Sequence, residues 1–532
     1  MKRLIQSSVC FLLMLCVLAT LCLPAAATEE ETQARDLSGR KQVTDSSGFP
    51  SINALFDGKL LEGKASKDGA SLTIEHEDGI GSLYFLFDKT GGAFTLTDNG
   101  SGESRTAGEM AYLHQFVDVA ALFGTAPTSV TVTFPNSVTL FELYIYGPGQ
   151  VPDSVQKWQP PLEGKSELVL FSTHGDDEQL FFAGVLPYYA GELQKNVQVV
   201  YFTDHRKDDP HRVHEMLNGL WTVGVTAYPV MPPFPDFFVQ YDMEKTYAKY
   251  EAKGYTRDEL MEYVVAQLRR FQPLVAVGHD VNGEYGHGMH MVYTDLLMEA
   301  LDLAANPEAY PESAEQYGLW DTPKAYLHMY EENQIVMKWD QPLERFGGMT
   351  PYEVSRDLGY PCHASQYKDF AWYYRGSDTA LDVKKYNPCY YGLFRTTVGE
   401  DVAKDDFFEN LPSRAEFDRL EEEKRLEAER LAAEEEARRR EEAERLAEQQ
   451  RRKEEEARRE SEAAAREEQA RQESIAREEQ ARKEALERQA RLEQELKILT
   501  VAVGILLVLL VVLLVLRGRG AKKRATRRKR RR

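Results

Sequence analysis

The stretch Leu168-Val169-Leu170-Phe171-Ser172-Thr173-His174-Gly175-Asp176-Asp177-Glu178 decides the fold of the larger part of this chain. Its first half is a compact apolar run, the mark of a strand buried on both faces. Val197 to Thr203 and Leu274 to Gly278 repeat that pattern, with helical spacing between them, notably over Arg257 to Phe271. Alternation of this kind predicts an α/β region over residues 160–410, a Rossmann-like, mainly parallel sheet with helices on both faces. In open parallel sheets the ligand site lies beyond the carboxyl ends of the strands. The polar half of the stretch falls there. A histidine three residues before an aspartate can converge with it on one metal, and Asp176 between them can face a metal-bound water instead. Asp and Glu also favour a helix's first turn for electrostatic reasons alone, so this cluster by itself leaves two readings open.

The strand ending at Gly278 carries a second polar cluster, His279-Asp280-Val281-Asn282-Gly283-Glu284-Tyr285-Gly286-His287-Gly288-Met289-His290. His287 and His290 are spaced to share one helix face. The two clusters are far apart in sequence, yet each follows a sheet strand, so the topology brings them to one edge.

These residues resemble the PIG-L/LmbE family of zinc-dependent de-N-acetylases, which act on N-acetylglucosaminyl lipids, mycothiol precursors and related N-acyl sugars. The family's His-Pro-Asp-Asp-Glu is matched by His174-Gly175-Asp176-Asp177-Glu178, and its Tyr-Gly-His-Pro-Asp-His by Tyr285-Gly286-His287-Gly288-Met289-His290. Arg212-Val213-His214-Glu215 followed by Val223-Gly224-Val225 lies between them, and His363-Ala364-Ser365-Gln366 comes later, in the family's order. The resemblance covers residues 165–370. It implies that His174, Asp177 and His290 bind Zn2+ and leave a position open for water. It further implies that Asp176 is the general base, that His287 is the acid or oxyanion donor, and that Tyr285 assists it. Arg212, Asp204 and Gln366 are candidates for substrate contact; Arg212 has an equal alternative, a salt bridge to Glu215 or a loop acid. Asp280 is the candidate to orient a metal-bound histidine. The sequence departs from the family at Gly175 and Gly288, which replace prolines and are expected to loosen both loops, and at Met289, which replaces a carboxylate.

Ahead of this region, residues 48–150 read as short strands: the alternating Leu72, Ile74 and His76, then Ser82 to Phe87, Ala93 to Thr97, Ser129 to Phe134 and Leu140 to Tyr146. Turn-rich spacers between them predict an antiparallel β-sandwich of jelly-roll type. Ile52-Asn53-Ala54-Leu55-Phe56-Asp57-Gly58 gives this segment a faint resemblance to discoidin-like galactose-binding domains, which implies glycan binding; a spacer domain is the equal alternative. Residues 28–47 show no apolar pattern and read as a linker.

Residues 414–497 are dominated by Glu, Arg, Gln and Ala, without Gly or Pro. Glu434-Glu435-Glu436 stand four residues before Arg438-Arg439-Arg440, the favourable order for helix ion pairs. The segment Ala465 to Arg471 recurs at Ala476 to Arg482, an eleven-residue step that keeps one face constant on a nearly straight helix. A long solvated stalk is expected, with a homo-oligomeric coiled coil as the alternative.

The two ends set the expected location. Lys2, Arg3, an apolar run from Val9 to Leu23 and Ala25-Ala26-Ala27 read as a signal peptide over residues 1–27. Ile498 to Leu516 is apolar for long enough to cross a bilayer, and the basic residues 517–532 behind it belong in the cytoplasm. This predicts a single-pass cell-membrane protein with its catalytic region outside. Cys362 and Cys389 remain after the signal, as a disulfide or as two free thiols. The formal net charge of -21 argues against nucleic acid as a partner. The function expected is zinc-dependent hydrolysis of the amide of an N-acylated amino sugar in a surface glycan or glycoconjugate. The alternatives are an inactive glycan-binding scaffold and an amidase on a small N-acyl metabolite.

Overall fold

A computed structural model describes residues 32–89, 91–205, 210–463 and 472–518. The expected signal peptide and the basic residues from 519 on lie outside them. The chain forms two compact units that divide between Trp158 and Gln159.

The first unit is a sandwich of two antiparallel sheets. One holds five strands in the order β1 (Val43–Ser47), β3 (Ala70–Glu75), β8 (Ser129–Phe134), β5 (Phe94–Asp98), β6 (Ser104–Ala107). The other holds β2 (Lys64–Ala65), β9 (Thr139–Tyr146), β4 (Ser82–Phe87) and β7 (His114–Asp118). In β3, Ala70, Leu72 and Ile74 are buried while Ser71 and Thr73 are only half covered, the period of two that a one-sided sheet imposes. Phe85, Phe87, Phe94 and Phe134 interlock their rings between the sheets. The expected linker over residues 28–47 is corrected in its second half: Val43–Ser47 pairs with β3 and forms an edge strand. Its polar residues are the four exposed ones of the strand, which is why no apolar pattern marked it.

The second unit is built on a six-stranded sheet in the order β11 (Val197–Tyr201), β10 (Leu168–Ser172), β12 (Val275–Gly278), β13 (Lys324–His328), β15 (Tyr390–Thr396), β14 (Gln334–Val336). The first four are mutually parallel, and β15 and β14 close the edge antiparallel. β10 sits between β11 and β12, so its carboxyl end opens centrally among the parallel strands. Val169 and Phe171 enter a core with Leu260, Val264 and Leu268 of the helix Arg257–Phe271 and with Leu296 and Leu297 of the helix Gly288–Leu303. Leu168 and Leu170 on the opposite face are also fully buried, as a sheet covered on both sides requires. Thr256 and Glu259 form a capping box that starts the first of these helices, satisfying two of its orphan N–H groups.

The charged segment is helical over Arg414–Ala463 and Gln472–Gly518. Arg414 ties its start to the unit by donating to the carbonyls of Gly164 and Ser166 at 2.7 and 3.1 Å. The two helices run side by side: Arg438 reaches Glu493 at 3.0 Å, Arg439 reaches Gln494 at 2.6 Å, and Arg482 reaches Gln449 at 2.6 Å. A single extended stalk does not anticipate these contacts. The expected span from Ile498 to Leu516 lies at the end of the second helix, whose side chains are described only as far as Gly504. Among the described residues no helix is long and apolar enough to cross a membrane. Cys362 and Cys389 are free thiols.

Candidate active site

The site lies where the carboxyl ends of β10 and β12 open. β10 runs into His174, and its polar tail folds as a tight turn in which the Gln179 N–H donates to the Asp176 carbonyl at 3.0 Å and the His174 N–H to Asp177 Oδ2 at 2.8 Å. The loop after β12 delivers His287 as the N-cap of the helix Gly288–Leu303, and His290 follows on its first turn.

His174 Nδ1, Asp177 Oδ2 and His290 Nε2 form a triangle with edges of 3.1, 3.1 and 3.2 Å. Ligand atoms about 2.0 Å from a tetrahedral zinc stand about 3.3 Å apart, so these donors fit a metal. Their tautomers fit as well. His290 Nδ1 lies 2.7 Å from the Glu284 carboxylate and His174 Nε2 lies 3.4 Å from Asp236 Oδ1, which assigns the ring protons there and turns both remaining lone pairs on the shared point. The pocket also attracts positive charge. Burial opposes an imidazolium at His174, but Asp236 and Asp177 outweigh it and lift the pKa to about 10. Burial likewise opposes one at His290, where Asp177 and Glu284 raise the pKa to about 9. Two overlapping groups, His174 with His287 and His290, and Asp177 with His279 and His290, hold their ligand atoms within 4.8 Å of one another.

Asp176 stands beside the triangle, almost fully buried. Burial raises its carboxyl pKa, with Arg212 pulling the other way. Arg212 Nη2 is 3.5 Å from Asp176 Oδ1, and Asp176 Oδ2 makes no hydrogen bond among the described residues. Arg212 therefore takes the loop acid of its alternative reading. Glu215 instead accepts from the Ser365 N–H and Oγ at 2.9 and 2.6 Å. His287 Nδ1 accepts from the Met289 N–H at 3.3 Å, leaving Nε2 as the donor. Burial and the neighbouring histidines drive its pKa down to about 2, so it is neutral. Tyr285 packs against both His287 and His290, with ring centroids 5.4 and 5.6 Å away. Asp204 is buried at the end of β11, its N–H bonded to the Phe234 carbonyl at 2.8 Å. Gln366 turns its amide to Ser365 Oγ at 3.3 Å, while His363 of the same motif reaches Glu178 at 3.2 Å in the buried interior.

Three expectations change. The carboxylate that orients a metal-site histidine is Glu284, not Asp280, whose Oδ1 accepts from the Asn282 N–H in its own turn at 2.9 Å. Glu284 is fully buried and gathers the Nδ1 atoms of His279, His290 and His328 at 2.8, 2.7 and 2.7 Å. Burial would raise its carboxyl pKa, but these histidines hold it well below the usual range. Next, the acid missing at Met289 has a counterpart from another segment. Met289 Sδ accepts from the Phe237 N–H, and the adjacent Asp236 faces His174. Finally, the two glycines do not loosen their loops. The Gly175 N–H donates to His205 Nε2 at 3.0 Å and the Gly288 N–H to the Val239 carbonyl at 2.8 Å, bonds a proline cannot make. A Cβ on Gly288 would stand 2.1 Å from Thr246 Oγ1.

No family model matches the chain. It is similar to the 1D-myo-inositol 2-acetamido-2-deoxy-alpha-D-glucopyranoside deacetylase 1 of Catenulispora acidiphila, 32% identical over 106 residues, which are 19% of this chain and 32% of that protein. The likeness thus spans about a third of the Catenulispora protein's length. The deacetylase of the same substrate name from Streptomyces avermitilis is 24% identical over 291 residues, 46% of this chain and 97% of its own. Among solved structures, N,N'-diacetylchitobiose deacetylase from Pyrococcus horikoshii aligns with 43% of this chain and 84% of its own at 13% identity and a TM-score of 0.28.

Proposed function

We propose that the second unit is a zinc-dependent amide hydrolase that removes the acyl group, an acetyl first of all, from an N-acylated amino sugar in a cell-surface or extracellular glycan or glycoconjugate. The observation that carries the reading is the triangle of His174, Asp177 and His290 with a buried carboxylate, Asp176, that interacts electrostatically with Asp177 and His174 and has one oxygen without a hydrogen bond among the described residues. The relatives named above, which act on a 2-acetamido sugar by their own description, support the choice of bond. The surface setting rests on the two ends of the sequence.

A metal in the triangle supplies Lewis acidity toward water and the amide carbonyl. The chain's own groups do the rest. Asp176 takes the proton of the attacking water on Oδ2, its basicity raised by burial and its carboxylate held in place by Arg212. His287, neutral and with Nε2–H free to donate, binds the carbonyl oxygen as negative charge develops on it. The proton on Asp176 then passes to the departing sugar amine as the C–N bond breaks, which regenerates the base and leaves the acid product and a free amine. Glu284 and Asp236 keep the ligating faces of His290 and His174 turned inward throughout. Incubating the zinc-loaded chain with a panel of N-acetylated amino sugars and assaying acetate tests the proposal. Release that stops on chelation is expected; silence across the whole panel from a metal-loaded chain would overturn it.

A further inference from the structure

A continuous line of aromatic rings runs through this site. Phe238 meets His287 at 5.5 Å between centroids, His287 meets Tyr285 at 5.4 Å, Tyr285 meets Phe370 at 5.6 Å, and Phe370 meets Trp372 at 6.4 Å. Its two ends face water, Phe238 being 67% exposed and Trp372 41%. Tyr241, 75% exposed, joins the line from the side, its ring so close over Gly286 that a Cβ there would stand 2.1 Å away. The backbone is built to hold this display. The Tyr241 N–H donates to the Gly286 carbonyl at 2.7 Å, and Gln240 bridges to His287. Tyr241 and Tyr285 both take left-handed φ values, 55° and 45°, a strained conformation for aromatic residues that concentrates at ligand sites.

A broad apolar patch suits a protein or a lipid surface; here the rings packed behind the line, Phe181 on Tyr285 and Tyr373 on Trp372, are buried, so the part open to water is narrow. Lys249 reaches the Phe238 carbonyl at 3.4 Å at one end, and the middle of the line includes His287, the donor assigned above to the carbonyl oxygen. A pyranose presents an apolar C–H face that stacks on such rings while its hydroxyls stay in water. We infer that the line is a row of sugar subsites, so that the substrate is an oligomer or polymer of the N-acylated amino sugar, lying across the site with rings on both sides of the reacting one. This rests on the hydrolase reading above and narrows its substrate from a single-sugar conjugate to a chain.

The test uses the full, zinc-loaded chain titrated with N-acetylglucosamine and with its trimer, following tryptophan fluorescence and acetate release. The trimer is expected to bind about tenfold tighter than the monomer, the scale of one added aromatic contact. It should also quench a signal that Trp372→Phe removes. Phe238→Ala and Tyr241→Ala should each lower the trimer-to-monomer ratio of kcat/KM about tenfold. Equal binding of the two sugars, binding of neither, or an unchanged ratio in both variants overturns the inference. Phe238-dependent trimer binding with no acetate from either sugar keeps the row of subsites and overturns the hydrolase reading instead.

Discussion

Glu284→Gln is the perturbation that bears hardest on how this site is held. The carboxylate accepts from His279 and His290 on Oε2, and from His328 and the Asp280 N–H on Oε1, at 2.7–3.2 Å. His328 also contacts the Asn387 carbonyl through Nε2 at 3.1 Å. Glutamine keeps the shape but has one acceptor oxygen and an NH2 group. On the Oε2 side the NH2 faces the ring N–H groups of His279 and His290; on the Oε1 side it faces the Asp280 N–H. Each hydrogen bond to a charged group contributes about 1.5–3 kcal/mol, so losing one or two predicts a loss of about 1.5–6 kcal/mol, reaching the range measured for breaking buried ionic networks. Because His290 loses its anchor, zinc affinity should also fall about 10- to 100-fold. Urea unfolding of the metal-free chain reads the first effect and competition with a chelator of known affinity reads the second. A variant within about 1 kcal/mol of the parent, with unchanged zinc affinity, would refute the reasoning.

Other consequences are as direct. Asp176→Asn should keep the metal yet lose about 10²- to 10⁴-fold in kcat, the usual contribution of a general base; near-parental turnover would assign the base elsewhere. Asp401→Ala strands the fully buried Lys324, whose Nζ now lies 2.6 Å from Asp401 Oδ1, and should destabilise the second unit by about 3–5 kcal/mol in denaturant. An unshifted midpoint would show that the pair is dispensable. Gly288→Ala drives a methyl into Thr246 Oγ1 and should lower stability by about 1–3 kcal/mol, the range for overpacking; a neutral effect would mean that the helix Met243–Ala252 gives way freely.

Much of the second unit was legible because strands buried on both faces announce themselves. The runs ending at Ser172 and Gly278 stop where polar residues begin, and a parallel sheet brings such ends together, which places His174, Asp177 and His290 in one triangle. Asp236 left no such mark. It lies alone in Pro233-Phe234-Pro235-Asp236-Phe237, and only the fold carries that segment across Met289 to His174. Glu284 stood in plain view, but whether it or Asp280 turns inward depends on the loop's path, including the left-handed Tyr285. His328 ends β13, a strand whose Lys324 and His328 interrupt the apolar pattern; their partners Asp401 and Glu284 are distant in sequence. The glycines at 175 and 288 were misread because a missing proline suggests freedom, whereas here each N–H it restores is bonded. The side-by-side helices were illegible for a simpler reason: polar all round, the segment has no apolar stripe to declare a partner.

The central claim is that His174, Asp177 and His290 hold a catalytic metal. X-ray absorption on the zinc-loaded chain, with metal analysis of the same sample and of His174→Ala, tests it most directly. One zinc per chain is expected, bound by two imidazoles and a carboxylate with no sulfur, and lost from the variant together with acetate release. Sulfur ligation, or a full equivalent of zinc retained by His174→Ala, would contradict the account.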